Sequence, residues 1–231
     1  MVHSGEISRK STGNVLSDMI LGGQDGLVNV LGVILGVAAA SNDIKIVIAG
    51  GLAATFAESI SMAAVALTSK MAERDHYISE LEREKTEMRE MPEKEASEIR
   101  AVYKKKGFDG KILDDIVTHV TQNKELWLDL MMKEELELKK VEQKDIYKGS
   151  FIVGLAALIG SFVPITPYFF LPMKTALIVT LVISTVALFI VGMYKAKMTV
   201  GNFYKSGIQM AIIGMSAAFA GYLIGKLFGS A

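Results

Sequence analysis

The sequence predicts an all-α membrane protein with five transmembrane helices and a cytoplasmic helical insert between the second and the third. Residues 26–42, 175–193 and 206–225 contain no charged side chain, and each approaches the ~20 residues that a helix needs to cross a bilayer. Residues 70–148, in contrast, are rich in Glu and Lys. The overall composition has 51% hydrophobic residues and equal numbers of acidic and basic ones, and it does not show this separation of apolar and charged segments.

The predicted spans follow one another along the chain as residues 16–40, 44–69, 149–167, 173–194 and 205–227. The end of the third span and the residues after it, FIVGLAALIGSFVPITPYFFLP, carry three prolines, so the helix is expected to end near Pro164 and to turn through Ile165–Pro172. The chain therefore divides into an N-terminal cytoplasmic tail, spans one and two, the insert, and spans three to five, with bounds 1–15, 16–69, 70–148 and 149–231.

Basic residues in the short loops predict the orientation of the protein in the membrane. Those on one side are Arg9, Lys10, Lys70, Lys148, Lys195, Lys197 and Lys205, and those on the other are Lys45, Lys174 and Lys226. We therefore expect a cytoplasmic N-terminus and a cytoplasmic insert in a multi-pass membrane protein.

The insert is predicted to be a small helical bundle. Its first helix continues from the second span and stops at Pro92, because no proline and, after Gly51, no glycine interrupts the preceding residues. Further helices are expected over 92–106 and 109–123. A fourth begins near Lys124 and is predicted to lead directly into the third span.

Composition also excludes several classes of function. The chain contains no cysteine and three histidines at unrelated spacings, which argues against thiolate sites and zinc sites of the usual form. The balance of charge gives no basic surplus for nucleic acid. No His-rich di-iron pattern, Ser/His or paired-Asp arrangement or nucleotide loop is present, so we expect no enzymatic activity and no resident cofactor.

Two acidic residues lie at matched depths in the first two spans. Asp25 and Glu58 each stand about 15 residues from the short connection between these spans, which places both roughly 22 Å into a ~30 Å apolar layer. Carboxylates at that depth are costly and typically mark a path for ions or protons. The alternative is that both lie near the cytoplasmic edge, where they contact water or cap a helix.

Each acid has a second potential ligand one helical turn further on, namely Asn29 after Asp25 and Met62 after Glu58. Carboxylate and thioether ligands together suit a borderline metal such as Fe²⁺ better than Ca²⁺ or Mg²⁺. Methionines in apolar helices usually serve packing, so Met62 is a weak candidate on its spacing alone.

The insert contains side chains at helical spacing that face one side of a helix. They are Glu84 with Glu87, Glu95 with Glu98, and Met131, Met132 and Glu135 as a third group. Solvated helix faces and bundle cores commonly produce such spacings, so the pattern alone does not indicate a metal site.

Small residues form stripes in spans one and five, at Gly32 and Gly36 and at Ala217, Gly221, Gly225 and Gly229. Such stripes let two helices approach closely in lipid, within one subunit or between two. A homodimer with its ion path along the interface is an attractive arrangement for so small a bundle.

Four ordered motifs resemble the vacuolar iron transporter family. They are QDGLVNVLGV, AESISM, EREKTEMREMPEKEASEIRAVYKKKG and LMMKEEL, and the similarity covers nearly the whole chain. Members often have a second methionine one turn beyond the position of Met62, where this chain has Ala66. The loss of a soft ligand would tilt metal preference toward harder ions such as Mn²⁺.

The resemblance implies a homodimer in the lipid bilayer that exports Fe²⁺, and often Mn²⁺, from the cytoplasm in exchange for protons. Co²⁺ and Zn²⁺ are further candidate cargo. Asp25, Glu58 and Met62 match the family's membrane ligands, with Asn29 beside them, and the Glu and Met residues of the insert match its cytoplasmic metal-binding domain. The alternative is a membrane-anchored iron buffer or sensor that does not transport.

Overall fold

The computed structural model describes residues 3–198 and 201–229, and within these ranges it contains helices and no strand. The α-helices are α1 His3–Ala40, α2 Ile44–Glu90, α3 Pro92–Lys105, α4 Gly110–Gln122, α5 Lys124–Leu130, α6 Gln143–Ile165, α7 Met173–Met198 and α8 Phe203–Phe228. Five of them, α1, α2, α6, α7 and α8, are long and apolar enough to cross a membrane. The predicted all-α fold with five candidate membrane-spanning helices is confirmed for the described residues.

The chain forms two compact units, one of residues 1–67 with 147–231 and the other of residues 68–146. In the first unit, α1 contacts α6, α7 and α8, and its side chains Val30, Leu31 and Ile34 are fully buried. The core of this unit therefore lies around the first span, which also carries the acidic residue Asp25.

Glycines set the contact between α1 and α8. A β-carbon added to Gly225 would lie 1.9 Å from the carbonyl oxygen of Gly36, and one added to Gly221 would lie 2.2 Å from that of Gly32. Both distances are too short for any side chain, so the backbones touch directly. The two stripes of small residues thus pack against each other within one subunit.

The third span ends as its prolines predicted. Helix α6 stops at Ile165, one residue after Pro164, and a short 3₁₀ helix, Thr166–Phe169, follows. The Thr180 hydroxyl on α7 donates to the Pro164 carbonyl oxygen at 2.9 Å, which satisfies an acceptor near the end of the helix.

The second unit is a small bundle of α3, α4 and α5 together with the polar part of α2. Pro92 starts α3, and the Asn123 side chain caps α5 by accepting from two backbone amides of its first turn. Ile99, Leu113 and Trp127 are buried in its hydrophobic core. The bundle therefore has its own core despite its high charge.

The prediction that the fourth insert helix leads directly into the third span is wrong. After α5, residues Met131–Glu135 form a π-helix, and no regular helix is present again until Gln143. The Leu138 amide donates to the Met132 carbonyl at 2.8 Å, and Glu137 adopts a left-handed conformation with φ of 52°. That conformation ends the helix, and for a non-glycine residue it costs about 1–2 kcal/mol. No glycine or proline in this part of the sequence predicts the break.

Candidate metal centres

The first candidate centre joins the first two spans through three polar side chains. The Asn29 side-chain amide donates to Asp25 Oδ2 at 3.2 Å and to Glu58 Oε1 at 3.0 Å. The structure therefore brings together the two acids that the sequence placed at one depth. The Asn29 amide contacts one oxygen of each carboxylate, so a second oxygen of each could accept a proton or bind a cation.

Close backbone contacts between α1 and α6 fix the position of Asp25. Gly23 and Gly26, on either side of it, let α6 approach until an added β-carbon on Gly26 would lie 2.2 Å from the Ala157 carbonyl oxygen. Next to Glu58 on α2, the Ser59 hydroxyl donates to the Gly154 carbonyl on α6 at 2.8 Å. Helix α6 thus holds both acid-bearing helices.

This centre lies at the surface of the single chain. Asp25, Glu58 and Met62 are half-buried, and Asn29 is exposed. On α2, Phe56 and Ile60 beside Glu58 are exposed to 54% and 69%. A carboxylate pair surrounded by exposed apolar side chains would face acyl chains unless another surface covers it.

A further acid on the same side of α1, Asp18, was not predicted from the sequence as a site residue. Asp18 is half-buried and lies seven residues, or about two turns, before Asp25, so the two share a helix face. The signal that would have found it is the spacing of Asp18, Asp25 and Asn29 along one stripe.

The second candidate centre is a cluster of carboxylates in the second unit. Glu84 and Glu87 lie on α2 and Glu95 on α3, and each offers an oxygen within 4.8 Å of the other two. The break at Met91 and Pro92 turns the chain so that the two helices present these acids to one another. Such a set of oxygens has the ligand chemistry of a site for a divalent cation.

Burial distinguishes these carboxylates from an ordinary acidic surface. Glu84 and Glu95 are 2% and 0% exposed, and the Oε2 atoms of Glu84, Glu95 and Glu135 are buried without a hydrogen-bond partner among the described residues. A buried carboxylate oxygen without a partner is costly, and a bound cation would remove that cost.

The same burial changes the proton affinity of the cluster. Loss of solvent, followed by the charge of Glu95, raises the pKa of Glu84 to about 7. Burial and the charge of Glu98 raise the pKa of both Glu95 and Glu135. Burial opposes ionisation of Glu87 too, but Lys94 and Arg83 outweigh it and lower the pKa of that carboxyl. Protons and metal ions would therefore compete for most of this cluster.

Two cations that the sequence analysis did not consider lie against these acids. Lys94 Nζ is 3.3 Å from an oxygen of each of Glu87, Glu95 and Glu98. The Arg83 guanidinium contacts Glu80 at 2.6 Å, Glu84 at 3.0 Å and Glu87 at 3.1 Å. Both side chains are about half exposed. Both contacts could have been predicted from the sequence, because these basic residues lie on the same helix faces as the acids.

The remaining predicted ligands occupy different environments. Glu135 is carried by the π-helix and interacts electrostatically with Glu95 and Glu98, so it belongs to the cluster. Met131 is fully buried in the hydrophobic core against residues such as Trp127, as expected of a packing residue. Met132 is 1% exposed.

Comparison with known proteins extends along almost the whole chain. The VIT family model matches residues 16–226. The chain belongs to this family. Among curated proteins it is similar to "Vacuolar iron transporter 1" of Tulipa gesneriana, with 34% identity over 92% of this chain and 87% of that protein.

Two further relatives come from other organisms. This VIT family chain is 31% identical to "Vacuolar iron transporter 1" of Arabidopsis thaliana, over 94% of its own length and 87% of the relative's. It is 27% identical to "Vacuolar iron transporter" of Plasmodium falciparum, over 91% and 81% of the two lengths. The expected family membership is confirmed, and both candidate centres lie inside the matched residues.

Proposed function

We propose that this VIT family member transports Fe²⁺, and also Mn²⁺, out of the cytoplasm across a vacuolar-type or cell membrane in exchange for protons. The observation that supports this proposal best is the contact of Asn29 with both Asp25 and Glu58 between two apolar spans. Intramembrane carboxylates are expensive to keep, and an anchor for a cytoplasmic buffer has no need of them. The names of the relatives give iron as their cargo.

In this mechanism the metal and the proton compete for the same carboxylates. Asp25 and Glu58 provide oxygen ligands and Met62 a thioether, with Asn29 holding the two acids in place. When the site opens to an acidic compartment, protons bind the carboxylates and the metal leaves. The protonated, uncharged site then returns through the apolar layer at lower cost than a charged one would.

The second unit would serve as a cytoplasmic metal-binding domain, with Glu84, Glu87, Glu95, Glu98, Met132 and Glu135 as ligands and Met131 supporting them from the core. The unpartnered buried oxygens of Glu84 and Glu95 support this role. A mixed set of carboxylates and a thioether suits Fe²⁺ and Mn²⁺, and it also admits Co²⁺ and Zn²⁺.

Transport and buffering predict different results in sealed vesicles. Purified protein in proteoliposomes with an acidic interior should accumulate Fe²⁺ well beyond the number of protein molecules present. Collapse of the pH gradient with an ionophore should stop that accumulation. A membrane-anchored buffer would instead take up a fixed, stoichiometric amount regardless of the gradient, and that result would contradict the proposal.

A homodimer would cover the polar surface around Glu58. Because the chain has no cysteine, a single introduced one gives an unambiguous cross-link. Ser61→Cys, exposed one turn from Glu58, should yield dimers with a short thiol-reactive reagent in membranes. Val182→Cys, a control on α7 that is also exposed, should remain monomeric on denaturing gels. Equal cross-linking at both positions would reflect random collision and contradict this interface.

The insert should bind metal more tightly as the pH rises. A pKa of about 7 for Glu84 means that this carboxyl is mostly protonated at pH 6 and mostly ionised at pH 8. Apparent affinity for Mn²⁺ should therefore increase about ten-fold over that range, since the metal displaces a proton only at the lower pH. Titration calorimetry at the two pH values measures the change, and a flat profile would contradict the competition.

Stability of the metal-free insert should follow the opposite trend. The folded state holds the Glu84 proton up to a pKa of about 7, whereas an unfolded chain loses it near 4.5. Between these values the folded state binds more protons, so its free energy of unfolding falls as the pH rises.

A further inference from the structure

One cation occupies a central position among the carboxylates of the insert. Lys94 Nζ lies 3.3 Å from Glu87, from Glu95 and from Glu98, so a single ammonium group contacts three of the proposed ligands. Two of them, Glu87 and Glu95, belong to the trio whose oxygens converge within 4.8 Å. The ammonium therefore neutralises part of the charge that a metal ion would neutralise.

Lys94 is also free to leave this position. Its side chain is 50% exposed, at the start of α3, and its flexible stem lets the charged group move into water without any change of the backbone. Arg83 differs because it also contacts Glu80, at 2.6 Å, and Glu80 is not among the proposed ligands. Arg83 therefore keeps one carboxylate partner, Glu80, whichever of the other acids bind metal, whereas all three contacts of Lys94 are with proposed ligands.

We propose that Lys94 is a tethered competitor of the metal, an affinity-determining residue whose ammonium must leave Glu87, Glu95 and Glu98 before a divalent cation can bind. This proposal rests on the proposed metal-binding role of the insert. It adds that the affinity of the cluster is set below its intrinsic value, so half-saturation of the insert requires a higher concentration of free metal.

Electrostatics requires the displacement. A divalent ion bound to Glu87 and Glu95 would lie within a few ångströms of an ammonium that touches the same oxygens, and the two positive charges would repel strongly at that separation. The metal thus releases three charge-assisted contacts when it binds. In a variant without the ammonium, the metal-free protein lacks these contacts, so metal binding does not have to break them.

The experiment measures Co²⁺ binding to full-length protein in detergent at pH 7. Trp127, the single tryptophan of the chain, is buried in the core of the insert, so quenching of its fluorescence by Co²⁺ reports on this unit. Lys94→Gln and Lys94→Ala should each lower the apparent Kd about ten-fold. Lys94→Arg keeps the charge and should bind Co²⁺ no more tightly than the wild type.

Lys85→Gln is the matched control. Lys85 is 43% exposed and pairs with Glu82, which is not a proposed ligand, so its replacement removes the same charge from the same unit. Its Kd should stay within about two-fold of the wild type.

Failure of the metal-binding role of the insert and failure of the competitor role of Lys94 give different results. If wild-type protein shows no saturable Co²⁺ binding in the insert, the proposed metal-binding role fails, and the competitor role fails with it. If the wild type binds Co²⁺ but both neutral Lys94 variants bind equally or more weakly, the competitor role alone is wrong. Equal tightening by Lys94→Gln and Lys85→Gln would also overturn it, since net charge rather than contact would then set the affinity.

Discussion

Replacing Glu58 with Gln is expected to reduce Fe²⁺ transport in proteoliposomes to background, a loss of about 100-fold or more. The amide preserves the shape of the side chain and can still contact Asn29, which is 3.0 Å from Glu58 Oε1. It carries no charge, however, so it neither attracts a divalent cation nor exchanges a proton. Initial rates of Fe²⁺ entry under an imposed pH gradient provide the measurement.

Glu82→Gln is the matched control for this variant. Glu82 is exposed on the polar part of α2, pairs with Lys85 and is not a proposed ligand of either candidate centre, so its neutralisation should leave the rate unchanged. Asp25→Asn should reproduce the loss seen with Glu58→Gln, because the two carboxylates share one bridging amide. Wild-type rates in a Glu58→Gln protein that elutes with the native oligomeric size would exclude the proposed mechanism.

Replacing Glu95 with Gln is expected to have two opposite effects on the insert. Metal affinity should fall about 10–100-fold, because a fully buried oxygen ligand loses its charge. Stability without metal should rise, since burial and the neighbouring Glu98 raise the pKa of Glu95 and make its ionised form unfavourable there. Thermal unfolding followed through Trp127 fluorescence measures the second effect.

The combination of effects separates a ligand from a structural residue. A residue that only maintained the fold would lose stability and metal affinity together when replaced. Glu82→Gln should change neither quantity, because Glu82 has 64% of its side chain exposed. A Glu95→Gln protein that is less stable than the wild type and still binds Mn²⁺ normally would contradict the assignment.

Much of the fold could be predicted because strong local signals determine it. Long uncharged runs define the spans, and Pro92 and Pro164 mark helix boundaries that the structure places within two residues. The break after α5 could not be predicted, because residues 136–142 contain neither glycine nor proline and have the composition of a helix. It depends on a backbone hydrogen bond between Leu138 and Met132.

The candidate centres, like the fold, could be predicted only in part. The depth of Asp25 and Glu58 predicted that they belong together, because helix rise and span length fix depth without knowledge of rotation. The rotation of α1 and α2, which brings Asn29 between the two acids, depends on contacts with α6 through Gly26 and Ser59. Lys94 was missed because charged residues on helix faces are usually solvated, and only the structure shows its three carboxylate contacts.

The proposed transport requires that a metal ion bind between the membrane spans at Asp25 and Glu58. Anomalous diffraction from crystals of the full-length protein soaked in Mn²⁺ would locate such an ion. We expect an anomalous peak about 2.0–2.6 Å from oxygens of both side chains, in addition to peaks in the insert, and its loss in Glu58→Gln crystals. Peaks confined to the insert of the wild type at saturating Mn²⁺ would contradict the claim and would leave a membrane-anchored metal buffer.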